Sequence, residues 1–206
     1  MTNILILYYS AYGHIFRMVK EVNKELEKEK EIKVKLARIP ELELARKNMS
    51  EQKAYVEAQK KQKDIPEAEP EDMRWADGII WGIPTRFGNM PAQIKQFIDQ
   101  AGGLWMEGAL EDTVTGIITS TNTIHGGQET TIISSLIPMF HLGMIPVGLP
   151  YGENPELNSG EAIGGTPYGA STVAGSDGSR KPVQDELKMA VRLGKRVTKV
   201  AKALNN

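Results

Sequence analysis

Hydrophobic positions along this chain switch between two periods. Ile4-Leu5-Ile6-Leu7-Tyr8-Tyr9 is an apolar run without alternation, which predicts a strand buried on both faces. A polar turn from Ser10 to Gly13 follows. Apolar residues then recur at Ile15, Met18, Val19, Val22 and Leu26, the spacing of an amphipathic helix. Ile32-Lys33-Val34-Lys35-Leu36 alternates apolar with basic residues, so it predicts a strand with one wet face at a sheet edge. Gly78 to Ile83 and Val114 to Thr119 read as two more buried strands, and Met144 to Val147 as a short fifth one containing a proline. Pro91 suits the first turn of a helix whose apolar face is Ile94, Phe97 and Ile98, with Gly102 and Gly103 ending it. Another helix is predicted from about Gln128 to His141, bent or shortened at Pro138. The last opens at Pro182, carries Asp185 and Glu186 in its first turn, and marks one face with Val183, Leu187, Ala190, Val197, Ala201 and Leu204.

Two segments interrupt this order. Residues 41–72 are dense in Glu and Lys; Met49 to Lys63 predicts one or two surface helical turns, ended by Pro66 and Pro70, in a solvated insertion or, less favoured, a subunit contact. Residues 152–180 are so rich in glycine that they predict a long shaped loop without regular structure. The strand–helix alternation elsewhere specifies an α/β fold in a single domain, residues 1–206. Five strands with an edge-like second one fit a flavodoxin-like parallel sheet of order 2-1-3-4-5, with helices on both faces.

Composition narrows the chemistry. A net charge of −1 with no basic stripe argues against a direct nucleic-acid partner. No cysteine is present, which removes disulfides, thiolate nucleophiles and cysteine-ligated metals, and no histidine pair has metal-ligand spacing on one face. No apolar run approaches membrane length, so the expected location is the cytoplasm.

Three loops follow strand carboxyl ends: Ser10–His14, Pro84–Asn89 and Ser120–Gly127. In open parallel sheets that edge is where ligands bind. The first loop opens a helix, whose unpaired N–H groups and dipole favour an anion. No Lys or Arg lies inside it and the nearest is Arg17, so backbone N–H groups and hydroxyls would hold the anion; the plainer alternative is that Ser10 only caps the helix. There is no Gly-x-x-x-x-Gly-Lys-Ser/Thr and no Gly-x-Gly-x-x-Gly after the first strand. A mononucleotide fits better than a tightly held dinucleotide, with its phosphate on the first loop and a planar ring between the other two.

The stretches Tyr8-Tyr9-Ser10-Ala11-Tyr12-Gly13-His14-Ile15, Pro84-Thr85-Arg86-Phe87-Gly88-Asn89-Met90, Gly102-Gly103-Leu104-Trp105, Gly126-Gly127-Gln128-Glu129, Gly164 through Ala170 and Gly178-Ser179-Arg180 occur in this order. In them the chain resembles the WrbA family of flavodoxin-like NAD(P)H:quinone oxidoreductases, which use FMN. The segment around 46–64 is longer than usual in that family, and Asn122, Ile124 and His125 stand in a loop that is typically glycine-rich there. The resemblance implies that Ser10, Ala11, Tyr12, Gly13, His14 and Ile15 bind the FMN phosphate. It implies that Thr85, Arg86 and Phe87, with Asn89 in the same loop, line the ring. Ser120, Thr121, Asn122 and Thr123, with Gly126 beyond them, would meet the ring and ribityl chain. His141 would reach the flavin of a neighbouring subunit in a homotetramer. Tyr12 and Trp105 would wall the space where NADH or NADPH and the quinone take turns. Flavin N5 carries the hydride, so no catalytic side chain is required, and Arg86 is the candidate for electrostatic support.

Each residue also has a plainer role open to it. Arg86 could pair with a carboxylate, Phe87 and Trp105 could belong to the core, His14 could hydrogen-bond within its loop, and His141 could complement a helix end. Two other functions stay open as well: a one-electron flavodoxin-type carrier, whose usual strong acidity a net charge of −1 does not match, and a non-catalytic partner-binding module.

Overall fold

The structure is a computed structural model and describes residues 1–205. Its parallel sheet is built from β1 (Thr2–Tyr8), β2 (Ile32–Arg38), β3 (Gly78–Pro84), β4 (Val114–Thr121) and β5 (Ile145–Pro146), in the order β2-β1-β3-β4-β5 that the sequence pattern predicts. Because side chains alternate across a strand, β1 feeds two cores. Ile4, Ile6 and Tyr8 face α1 (His14–Leu26) and α8 (Gln184–Leu204). Leu5, Leu7 and Tyr9 face the other layer, with α5 (Ala92–Asp99), α6 (Gly102–Met106) and α7 (Gln128–His141). Each fully buried Leu or Ile of β1 contributes roughly 1.5–3 kcal/mol. A Cβ at Gly82 would stand 2.5 Å from Ile15 and 2.6 Å from Tyr8, so glycine there lets α1 settle onto β3.

Four sequence expectations need correction. First, the fifth strand is split. β5 pairs only with Val114–Thr115, and the far half of β4 pairs instead with β6 (Ala170–Val173). Residues 152–180 are therefore not free of regular structure: besides β6 they contain the short turn Pro155–Asn158. The glycines serve close approach. A Cβ at Gly164 would lie 2.3 Å from the Ser171 carbonyl oxygen, and one at Gly169 would lie 2.3 Å from that of Ile117.

Second, the charged insertion is only partly solvated. It forms α2 (Glu43–Met49), which buries nothing, then α3 (Lys53–Lys60) and the single turn α4 (Glu71–Arg74). Tyr55, Ala58, Gln62 and Met73 are buried. Positions 55, 58, 59 and 62 form one helical stripe, and it faces the first loop.

Third, α5 stops at Asp99, and Gly102-Gly103 start α6 instead of ending a helix; α7 meanwhile runs through Pro138 to His141. Fourth, α8 starts after Pro182, with Val183 at its N-cap. Val183 and Leu204 are exposed, and Met189, Leu193 and Val197 supply the packed face. Among the described residues, no helix is long and apolar enough to cross a membrane, and no group of acidic and histidine side chains could hold a metal ion.

Candidate cofactor site

The first loop is set by two kinds of hydrogen bond. The buried Ser10 Oγ accepts from the N–H of Gly13 (3.1 Å) and of Phe16 (3.2 Å), while Gly13 takes φ +89° to turn the chain into α1. Ser10 thus does cap the helix, but it uses only those two donors. Among the described residues, the N–H groups of Ala11, Tyr12, His14 and Ile15 have no acceptor.

The loop carbonyls are held from outside. Gln59 Nε2 donates to the carbonyls of Ser10 and Ala11, both at 3.0 Å, and Gln62 Nε2 donates to Ser10 at 3.2 Å and to Ala58 at 3.0 Å. Across a planar trans peptide the next N–H points opposite to the carbonyl. Turning the Ser10 and Ala11 carbonyls toward α3 therefore turns the Ala11 and Tyr12 N–H groups away from it. The insertion aims the donors of the first loop.

Sequence reading missed Gln59 and Gln62. Their signal was the i, i+3, i+4, i+7 stripe they complete with Tyr55 and Ala58, which a dense background of Glu and Lys obscured. Gln62 is 2% exposed, so Gln62→Leu is expected to cost about 1–2 kcal/mol of stability by stranding the Ala58 carbonyl. It should also weaken ligand binding on the loop severalfold, as read by flavin titration alongside urea unfolding.

A carboxylate fastens the start of the insertion. Glu41 accepts from Tyr9 Oη at 2.7 Å and Tyr55 Oη at 3.3 Å, and Gln93 Nε2 donates to its other oxygen. Burial, followed by the hydrogen bond to Glu41, pushes the Tyr9 phenol far above its ordinary range. Tyr12 is exposed and its hydroxyl donates to Gln52 Oε1 at 2.8 Å, a further tie between loop and insertion.

In the second loop, Thr85 Oγ1 accepts from Gly88 N at 3.1 Å and from Thr131 Oγ1 at 2.7 Å, which joins the loop to α7. Arg86 and Asn89 exchange backbone hydrogen bonds around a tight turn that puts Phe87 at φ +53° with its ring in solvent. Phe87 is therefore not a core residue. Arg86 donates to the Thr85 carbonyl at 3.0 Å and meets no carboxylate among the described residues.

In the third loop Ser120 and Thr121 are buried at the end of β4, Thr121 Oγ1 donates to the Thr123 carbonyl at 2.8 Å, and Asn122 and Thr123 are exposed. The Gly126 N–H closes the turn onto Thr123 at 3.0 Å. β6 braces this loop, because Ser171 Oγ donates to Gln128, whose amide donates to the Ile124 carbonyl at 3.0 Å.

β6 is in turn tied down by Glu186, which is fully buried. Its carboxylate accepts from the N–H groups of Gly164 (2.9 Å), Val173 (3.2 Å) and Val183 (2.9 Å) and from Thr172 Oγ1 (2.7 Å), and it pairs with Arg180 at 3.0 Å. The sequence places Glu186 in the first turn of α8, and there it does accept from the N-cap Val183 N–H. It is also the knot of the C-terminal third, which the sequence did not show.

The three loops converge. One hollow of about 60 Å³ is lined by Ser10, Ala11, Tyr12, His14 and Ile15 from the first, Pro84, Thr85 and Arg86 from the second, and Ser120 and Asn122 from the third. His14 Nε2 is buried and has no hydrogen-bond partner among the described residues. Burial, then the Arg17 charge, holds the His14 imidazole below its ordinary pKa, so it is neutral at pH 7. Gly13, Phe87, Asn89, Thr121, Thr123 and Gly126 shape the loops without lining this hollow.

Trp105 and His141 lie elsewhere on the chain. They share a separate hollow of about 260 Å³ with Ile98, Ala101 and Pro138. Trp105 is 60% exposed, which rules out a role as a core plug.

Fold and site together define a flavodoxin-like protein whose three loops converge on a hollow at the carboxyl edge of its sheet. A family model described as NADPH-dependent FMN reductase matches residues 2–152. The chain is 47% identical over 201 residues to an NAD(P)H dehydrogenase (quinone) of Aromatoleum aromaticum, covering 98% of this chain and 96% of that one. It is 45% identical over 201 residues to the protein so named in Geotalea uraniireducens, with 98% of both covered. Among solved structures, a flavodoxin, WrbA-like protein from Agrobacterium tumefaciens has a TM-score of 0.66 at 22% identity, across 98% of this chain and 99% of that chain, a likeness of fold. The chain belongs to the NADPH-dependent FMN reductase family, as one of its WrbA-type quinone dehydrogenases.

Proposed function

We propose that this protein is an FMN-dependent NAD(P)H:quinone oxidoreductase that reduces quinones to hydroquinones by two electrons. The observation that carries this reading is that the N–H groups of Ala11, Tyr12, His14 and Ile15 have no acceptor among the described residues, and that these four residues line a hollow on which all three loops converge. Such a donor set suits the terminal phosphate of a mononucleotide. FMN, when bound, supplies hydride transfer to and from its N5.

The protein holds and orients. Ala11, Tyr12, His14 and Ile15 grip the phosphate, with Ser10 and Gly13 fixing the turn. Thr85, Arg86, Phe87 and Asn89 present one ring-binding surface, and Ser120 through Thr123, with Gly126, present the facing one. Arg86, in no ion pair among the described residues, is the cation that would stand near the ring. No side chain need act as acid, base or nucleophile. NADH or NADPH and the quinone occupy one space in turn, so initial-rate plots should give parallel lines. Converging lines would mean that both bind together.

The site is completed by a neighbouring copy in a homotetramer. Supporting this, Trp105 and His141 lie in their own surface hollow, and the exposed Met106, Ile137 and Phe140 belong to the same helices, α6 and α7. Tyr12 from one subunit and Trp105 from another would then wall the quinone space, with His141 against the neighbour's cofactor. Trp105→Ala is expected to raise the quinone KM severalfold while leaving monomer folding intact, because the side chain is exposed. Assembly and FMN binding should also be linked by ~1–3 kcal/mol. Sedimentation of apo and holo protein across a dilution series measures that coupling, and equal dissociation of the two forms would remove His141 from the site.

A further inference from the structure

A second hollow, of about 460 Å³, opens beside the first and shares Tyr12 and His14 with it. Its walls come from the first two turns of α1, from α3, and from the Gly178-Ser179 turn. Three cations line it: Arg17, Lys20 and Lys61. These three are in no ion pair among the described residues. Arg17 is half-buried, and the Lys20 ammonium is steadied 5.7 Å over the Phe16 ring. The opposing charge is Glu57, also in no ion pair among the described residues, so the lining keeps an excess of two positive charges.

We propose that this hollow binds the 2′-phosphate of the adenosine ribose of NADPH, and that Lys20 and Lys61 set a preference for NADPH over NADH. The inference rests on the oxidoreductase reading above and names the donor for the same site. Its volume lies within the ~300–1,000 Å³ of small-molecule pockets. Unpaired cations in a concave wall suit a phosphate monoester, which carries nearly two charges. A transient donor has to meet the cofactor and still leave its far end on the protein. This basic hollow adjoins the cofactor hollow, and the chain has no Gly-x-Gly-x-x-Gly loop to take a dinucleotide elsewhere. Ala54, Glu57, Ala58 and Lys61 all come from the insertion, so the segment that aims the first loop also builds this wall.

The test is calorimetric titration of the FMN-loaded protein with 2′,5′-ADP and with 5′-ADP. The expected result is about tenfold or tighter binding of 2′,5′-ADP. That preference should fall to within about twofold in the Lys20→Ala/Lys61→Ala double variant, with FMN affinity unchanged. Equal binding of the two nucleotides by the native protein overturns the proposal, as does a preference that survives the double substitution. Loss of FMN affinity in the variant also overturns it, because the cations would then serve the cofactor phosphate. The two readings fail separately. If both NADH and NADPH reduce the flavin but 2′,5′-ADP has no advantage, the second site falls and the oxidoreductase stands. If 2′,5′-ADP keeps its advantage but neither dinucleotide reduces the flavin, the site stands and the activity falls.

Discussion

FMN is expected to bind at least ~3 kcal/mol more tightly than riboflavin, a difference above a hundredfold in Kd. The two ligands share the ring and the ribityl chain and differ only in the phosphate. Hydrogen bonds to a charged group contribute about 1.5–3 kcal/mol each, and the helix N-terminus adds to them. The first loop offers four N–H groups with no other acceptor among the described residues. Even two of them engaged at the lower figure supply the difference. Fluorescence titration of the apoprotein with each flavin measures it directly, and equal affinities would remove the phosphate from the first loop.

Glu186→Ala is expected to destabilise the apoprotein by about 3–5 kcal/mol, among the larger effects a single substitution has. The carboxylate takes three backbone N–H groups, one hydroxyl and the Arg180 guanidinium while fully buried. Truncation strands those donors and leaves Arg180 half-buried without its partner. β6 then loses its anchor, and with it the Ser171–Gln128–Ile124 brace on the third loop. Urea unfolding of the native and variant apoproteins reads the loss. A change under about 1 kcal/mol would mean that the C-terminal third is held by its apolar contacts alone.

How far the sequence could be read depended on how local the deciding forces were. The first four strands and the 2-1-3-4-5 order followed from apolar runs such as Ile4–Leu7 and Gly78–Ile83, because a buried strand carries its signal in its own residues. So did the three loops, whose hydroxyls and glycines sit next to those strands. The split of the fifth strand was not legible, because Ala170–Val173 is held by a partner fifty residues away in β4 and flanked by glycines that look like loop. Glu186 was legible as a first-turn helix acid but not as a buried knot, because most of its partners are backbone N–H groups, which every sequence has. Gln59 and Gln62 were hidden for the same reason: they bind carbonyls, not side chains. The resemblance set His141 apart from its own chain's loops but put Trp105 beside Tyr12, and the separate hollow that Trp105 shares with His141 was not legible, since neither residue has a spacing that reveals its neighbour.

Anaerobic titration of the FMN-loaded protein tests the proposed function most directly. One equivalent of NADPH is expected to bleach the flavin absorbance without an accumulating intermediate spectrum, and one equivalent of benzoquinone should then restore it fully. Flavin that neither NADPH nor NADH bleaches, or that benzoquinone does not reoxidise, would contradict the assignment and leave a carrier or a binding module in its place.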